Sequence, residues 1–227
     1  MGRRQVLGQL TGGVSLVVAG AVTGGWAPGL AHAQDAFPQR AIRVIVPQPP
    51  GGGFDLVART LADKLGHSFK NGVVVENRTG SGTLVGTDLA AKAAPDGYTV
   101  LTGSVSNMVL NVGLYKTLSY DPLKDFEPIG LAAAYSYTLV ARKDLPFGTL
   151  AELVTYAKAN PGRLSYASAG NGSGQHVLAA ALWHLAGVQI THVPYRGAQP
   201  AYADLLGGRE DVFFDLSSTA QIGKAHV

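Results

Sequence analysis

Ala41-Ile42-Arg43-Val44-Ile45-Val46-Pro47, followed closely by Pro49-Pro50-Gly51-Gly52-Gly53-Phe54-Asp55, decides the fold class. A β-branched run stopped by proline reads as a strand, and the glycines open a loop after it. Beyond the loop, Val57, Leu61 and Leu65 recur every four residues with Ala58 and Ala62 beside them, which predicts a helix with that stripe on a core; Gly66 suits its C-terminal cap. The same unit then returns. Val73-Val74-Val75-Glu76 reads as a strand, Val85, Leu89 and Ala93 mark a helix closed by Pro95, and Asp96-Gly97 turns the chain into Tyr98-Thr99-Val100-Leu101. From Leu139 the pattern restarts. Thr149-Leu150-Ala151-Glu152 has the form of a capping box, and Asn160-Pro161-Gly162 stops the helix it opens. Leu164 to Ala167 is a strand, Ser168 to Gly174 a loop, and a helix from about Gln175 ends at Gly187. Ile190 to Val193 is the next strand. Pro200 sits where an N1 proline would open a further helix, ended by Gly207-Gly208, and Asp211 to Asp215 is the last strand. Strands alternating with helices imply an α/β chain with mostly parallel, covered sheets. Two such sets, changing over near residues 130–140, imply two lobes, 34–135 and 136–227, whose ligands would sit at the carboxyl ends of the strands.

The first 33 residues read as an export leader rather than as fold. Arg3 and Arg4 give a positive start, Leu10 to Val22 is apolar and uncharged, and Ala31-His32-Ala33 is an A-x-A cleavage pattern before Gln34. An uncleaved membrane anchor is the competing reading, but the run is broken by glycines and falls short of the roughly 20 apolar residues a span needs. Gly2-Arg3-Arg4-Gln5-Val6-Leu7 also has the twin-arginine form with Gly in place of the usual Ser or Thr, so twin-arginine and general export both stay open. Without the leader 194 residues remain, and the net charge falls from +3 to +1 because Arg3 and Arg4 are the leader's charges. Only 15% of the whole chain is charged, against about 25% on average, and no Lys/Arg cluster stands out, which argues against a nucleic-acid or anionic-membrane partner. The absence of cysteine excludes a disulfide scaffold and a Cys-ligated zinc site, and suits an oxidising compartment.

The informative features are the two glycine-rich loops, Pro49 to Asp55 and Ser168 to Gln175, each between a strand and a helix. Glycine lets backbone approach a ligand closely, and free N–H groups at a helix start attract anions, so each loop is suited to hold a carboxylate without a cationic side chain. A plain tight turn is the alternative for either loop alone; one such loop in each lobe is the stronger sign. Nucleotide motifs fail: neither loop ends in Gly-Lys-Ser/Thr, and Leu56 and Gln175 occupy the third glycine's place in G-x-G-x-x-G. A serine-hydrolase elbow fails because Asn171 stands two before Ser173. His176 and His184 are eight apart, a spacing without metal meaning, and suit surface or capping roles; Trp183, Leu182 and Leu178 read as core. Asp215 ends a buried strand and needs a partner, whether an internal hydrogen bond or a ligand; Arg196 fits a structural ion pair.

With these residues in view, the chain resembles the solute-binding receptors of the tripartite tricarboxylate transporter system, the Bug family. The matching segments are Pro50 to Asp55 with Ala58-Arg59, Val75-Glu76-Asn77-Arg78, Ala91 to Thr99, Tyr120-Asp121-Pro122 with Lys124-Asp125-Phe126, Ser168 to Ser173 with Gln175-His176, His192 to Gly197, Asp204 to Gly208, and Phe214-Asp215. The resemblance implies a periplasmic binding protein of type II-like architecture, its two lobes closing as a monomer on a small organic acid for delivery to membrane permease subunits, with no cofactor, metal or catalytic residue. It assigns carboxylate capture to Gly52, Gly53, Phe54 and Asp55, to Ser104, and to Ser168, Ala169, Gly170, Asn171, Gly172 and Ser173, with Asp215 meeting the ligand's far end. Phe54 departs from the small or hydroxyl residue usual in the family. The chain also stops at Val227, soon after Asp215, where relatives continue and return to the first lobe, so the second lobe is expected to be incomplete and the 227-residue product a poor receptor. A reading from another class is a small exported α/β hydrolase using Ser173 and His176.

Overall fold

A computed structural model of the chain describes residues 37–216. The predicted leader, 1–33, and the segment after Leu216 lie outside the described residues.

The first sheet is built from β1 (Ile42–Val46), β2 (Val73–Asn77) and β3 (Thr99–Leu101) in the order β2-β1-β3, with β1 parallel to both neighbours. β1 is central and almost wholly buried, which accounts for its run of Ile and Val. Two helices follow its first two strands: α1 (Gly53–Gly66) and α2 (Leu84–Ala91). The face α1 presents to the core differs from the predicted stripe. Phe54, Ala58 and Ala62 are buried, whereas Leu61 and Leu65 are 38% and 40% exposed. Small residues let the helix lie close on the sheet, and the leucines flank that contact. Gly66 is the last helical residue, and His67 caps the helix in a right-handed conformation, so no left-handed glycine ends it. After β3, a π-helical turn (Ser106–Leu110) runs into the short helix α3 (Asn111–Leu114).

The second sheet has four strands, β4 (Tyr137–Ala141), β5 (Ser165–Ser168), β6 (Thr191–Pro194) and β7 (Val212–Leu216), in the order β4-β7-β5-β6. β5 runs parallel to β6 and β7, while β4 pairs antiparallel with β7 as an edge strand. Its helices are α4 (Leu150–Ala159), α5 (Gly174–Ala186) and α6 (Ala198–Leu206). The capping box of α4 forms as predicted: Thr149 Oγ1 accepts from the Glu152 amide, and Glu152 accepts from the Thr149 amide. Gly187 closes α5 with φ +64. α6 starts two residues before Pro200, at Ala198, with Gly197 as its N-cap. Trp183 is in the core with Leu153, Leu164, Tyr166 and Val212, as its sequence context predicts, but Leu178 is 41% exposed.

Between Phe126 and β4 the chain has no regular structure, and Ile129 and Leu131 stand 84% and 87% exposed. Among the described residues no helix is long and apolar enough to cross a membrane.

Candidate functional site

The loops leaving the carboxyl ends of β1, β2 and β3 meet those leaving β5 and β6. Gln199, in the first turn of α6, donates from Nε2 to the Gly51 carbonyl at 2.6 Å. The Gly174 amide, opening α5, donates to Ser106 Oγ at 3.1 Å across 68 residues of sequence. Glycines make the approach possible. A Cβ on Gly82 would lie 2.8 Å from the Asn171 carbonyl oxygen, and one on Gly197 would lie 2.7 Å from Pro49 Cγ.

The first loop is fixed by Asp55, which is 4% exposed. Its Oδ2 accepts from the Gly51 amide and from Arg59 Nε, both at 2.9 Å, and its Oδ1 accepts from Asn77 Nδ2 at 2.9 Å. Arg59 Nη2 in turn donates to Asn77 Oδ1, and Asn77 Nδ2 also reaches the Gln48 carbonyl, so one triangle binds α1, the end of β2 and the loop. Burial pushes the Asp55 carboxyl up, but the Arg59, Gly51 and Asn77 bonds outweigh burial and hold it below the usual carboxylate range. Phe54 faces inward. It packs with Val44, Val46, Ala58 and Leu216, and its ring meets Tyr135 edge-on at 6.0 Å. Its side chain is core, and its amide belongs to the start of α1. Gly52 is the N-cap without a side-chain cap, so the first amides of α1, from Gly53 onward, have no intrahelical acceptor and mark its positive end.

The second loop is largely self-satisfied. Gly170 donates to Ser168 Oγ at 3.1 Å, Gly172 to His176 Nδ1 at 3.2 Å, and Ser173 to the Gly170 carbonyl at 3.2 Å. Among the described residues, the amides of Ala169 and Asn171 are left in this loop without an internal acceptor. Ser168 is fully buried, with Oγ 2.7 Å from His192 Nε2. Ser173 Oγ donates to the Gly170 carbonyl and accepts from the His176 amide, which makes it the N-cap of α5. The hydrolase reading gains nothing from this: Ser173 is not paired with the His176 ring, and the serine that does meet a histidine is sealed from solvent. Ser104 donates from both its amide and its hydroxyl to Asn107 Oδ1, at 2.7 and 2.8 Å. Asp215 is 4% exposed and accepts from the Tyr202 hydroxyl. Arg196 is exposed. Among the described residues no group of three or more His, Cys, Asp or Glu could hold a metal ion.

Sequence reasoning missed the polar floor beneath the 80–83 turn. Asn107 and Asn111 are wholly buried; Asn107 Nδ2 donates to Thr87 Oγ1 and Asn111 Nδ2 to Thr83 Oγ1, both at 3.1 Å, and Asn111 Nδ2 also donates to the Tyr120 hydroxyl. This network holds Thr83 at φ +83, a conformation that strains a β-branched residue, and with it presents Gly82 to Asn171. The signal was in the sequence: two asparagines four apart within an otherwise apolar run. Gln199, Ser106 and His192 carried no comparable signal.

Two α/β sheets meeting through glycine loops at their carboxyl ends define a periplasmic binding protein fold. The sequence profile described as the Tripartite tricarboxylate transporter family receptor matches residues 57–225, and the chain belongs to that family. Among its curated relatives, the UPF0065 protein in the tcbD-tcbE intergenic region of Pseudomonas sp. (strain P51) is 42% identical over 221 residues, which are 97% of this chain and 62% of that protein. Solved structures with the same fold include R. palustris Rpa4515 with adipate, at TM-score 0.79 and 32% identity, covering 84% of this chain and 64% of that one. MatC (Rpa3494) from Rhodopseudomonas palustris with bound malate matches at TM-score 0.74 and 34% identity, covering 79% and 61%. The periplasmic binding protein BugD matches at TM-score 0.73 and 35% identity, covering 83% and 63%. The chain thus spans less than two thirds of the length of each.

Proposed function

We propose that this chain is an extracytoplasmic receptor that captures a small carboxylate-bearing organic acid between its two lobes, 34–135 and 136–227, and presents it to the membrane permease of a tripartite tricarboxylate transporter. In this reading it works as a monomer in the periplasm, exported through the leader 1–33, and converts nothing. One observation carries it: two glycine loops, one from each sheet, face each other at the carboxyl ends of the strands, beside the uncapped positive end of α1.

The carboxylate takes the amides of Gly53 and Phe54, with the bare Gly52 backbone giving it close approach. Ala169 and Asn171 supply the opposing amides. Asp55, Ser168, Gly170, Gly172 and Ser173 serve the site through the loops they hold, and Asp215 sets preference at the ligand's other end. Ser104, its hydroxyl proton committed to Asn107 Oδ1, accepts from a ligand hydroxyl or a water rather than meeting the carboxylate. No fixed cation is needed, because oriented amides at a helix start hold a negative charge. The adipate and malate in the related structures support a dicarboxylate as the solute class. A thermal-shift screen of the purified chain against dicarboxylates, tricarboxylates, amino acids and aromatic acids tests the reading. A rise in Tm with dicarboxylates, saturating with concentration, is expected. A rise with amino acids or aromatic acids alone would overturn the dicarboxylate class, and no rise with any of these acids would overturn the receptor reading.

A further inference from the structure

We propose that His176 and His192 form a stacked, neutral imidazole pair that positions the 169–173 loop for ligand capture, so that protonating the pair releases the loop and the bound acid. This rests on the receptor reading above and adds to it two positioning residues.

The geometry runs through three rings. The His192 ring, on β6, lies between the Tyr166 ring of the neighbouring strand, at 4.8 Å, and the His176 ring of the first turn of α5, at 4.0 Å and 12° from parallel. Each imidazole reaches one glycine of the loop. His176 Nδ1 accepts the Gly172 amide at 3.2 Å, which places its proton on Nε2 and requires the ring to be neutral. His192 Nε2 lies 2.7 Å from Ser168 Oγ, and that oxygen accepts the Gly170 amide at 3.1 Å and lies 3.2 Å from the Gly170 carbonyl, so His192 acts on Gly170 through the serine. The stack thus holds Gly172 by an acceptor nitrogen and Gly170 through Ser168, and Asn171 with its unbonded amide lies between them.

Protonation opposes this twice. A proton on His176 Nδ1 removes the acceptor of the Gly172 amide, and two imidazolium rings 4.0 Å apart repel. The titratable groups facing the pair are Tyr166 from β5, its phenol pushed up by burial, and each histidine to the other; among the described residues no carboxylate or cation shifts either ring. Burial lowers His176, and burial together with His176 pushes His192 down to about 4. The released loop takes up protons below about 6.5, the ordinary histidine value. Placement of the loop is therefore fully favoured above that pH and is lost as the pH falls from there toward the lowered value of about 4, and affinity declines with it over that interval.

The test uses the whole chain, with adipate as probe. Long-range proton–nitrogen NMR of the imidazoles from pH 7.5 to 4.5, without ligand, should show both rings neutral at pH 6 and His176 carrying its proton on Nε2. Ordinary titration near pH 6.5, or a protonated Nδ1 at pH 7, would overturn the inference whether or not adipate binds. Failure of the wild type to bind adipate while the rings behave as stated would count against the receptor reading alone. His176→Leu should weaken adipate binding about tenfold at pH 7, the scale of one lost hydrogen bond. His176→Asn, whose side-chain oxygen can accept the Gly172 amide but does not titrate, should restore it. Between pH 7 and 5 the wild type should lose more affinity than His176→Asn, a difference that cancels protonation of adipate itself. Parallel losses in the two proteins, or full binding by His176→Leu at unchanged Tm, would refute the positioning role.

Discussion

Asp55→Ala removes the acceptor for three donors at once. The Arg59 guanidinium is 53% exposed, and its ion pair is worth at most about 1 kcal/mol after screening by solvent. The Gly51 amide and Asn77 Nδ2 donate to a carboxylate that is 4% exposed, and such charge-assisted bonds contribute about 1.5 kcal/mol each at the low end. Asn77 keeps the Gln48 carbonyl, which limits its loss. The expected cost is therefore about 3 kcal/mol, and for a chain of this size that is a fall in Tm of about 10 °C, at about 2–4 °C per kcal/mol. Asp55→Asn should cost nearly as much, since its amide nitrogen must face a donor. The sign with pH follows from the lowered folded-state pKa: the stabilisation is present above the ordinary carboxylate value of 3.8 and is lost as pH falls through the lower folded value. Circular dichroism melts of wild type and variant at pH 7 and in acid check this, with the two curves converging in acid. Arg59→Ala should cost under about 1 kcal/mol, and less in the Asp55→Ala background, where only its exposed bond to Asn77 Oδ1 is left to lose. A Tm within 2 °C of wild type for Asp55→Ala at pH 7 would refute the anchoring role.

Other substitutions separate packing from capture. Gly174→Ala places a methyl group on the Tyr137 hydroxyl and ring, and should lower Tm by several degrees, with part of the loss recovered in a Tyr137→Leu background. Gly170 has φ +127, so Gly170→Val should destabilise the fold as well as the loop, seen as a lower denaturation midpoint. Replacing Ile129 and Leu131 together by lysine should leave Tm unchanged and reduce aggregation in light scattering, because these apolar side chains are almost wholly in solvent.

The order of strands and longer helices and both glycine loops were legible in the sequence because each rests on local physics, β-branched runs, caps and helix stops, whereas the π-helical turn and the short α3 after β3 were not. Where the sequence misled, a tertiary contact had overruled the local pattern. Leu61 and Leu65 keep helical spacing, yet Phe54, Ala58 and Ala62 face the sheet because small side chains allow the closer approach. Asp55 and Phe54 were legible as the end of the first glycine loop, but not that one side chain anchors the loop while the other fills the core, since both depend on partners such as Asn77 and Tyr135, far away in sequence. His176 and His192 are 16 positions apart on different elements, and nothing local announces that their rings stack.

If the start of α1 holds a carboxylate, Gly52→Val must abolish its binding. At Gly52 φ is −85, and an added Cβ would meet only the Pro49 carbonyl oxygen, at 3.9 Å, so the fold tolerates a side chain there. That side chain would cover the amides of Gly53 and Phe54. Isothermal titration of adipate into wild type and variant, with the ligand recovered and weighed by mass spectrometry, should give saturable one-to-one binding with intact adipate for the wild type. The variant should keep the wild-type Tm and lose binding at least a hundredfold. Equal affinity in the two proteins would place the carboxylate elsewhere than the start of α1, and adipate consumed by the wild type would mean that the protein is no simple receptor.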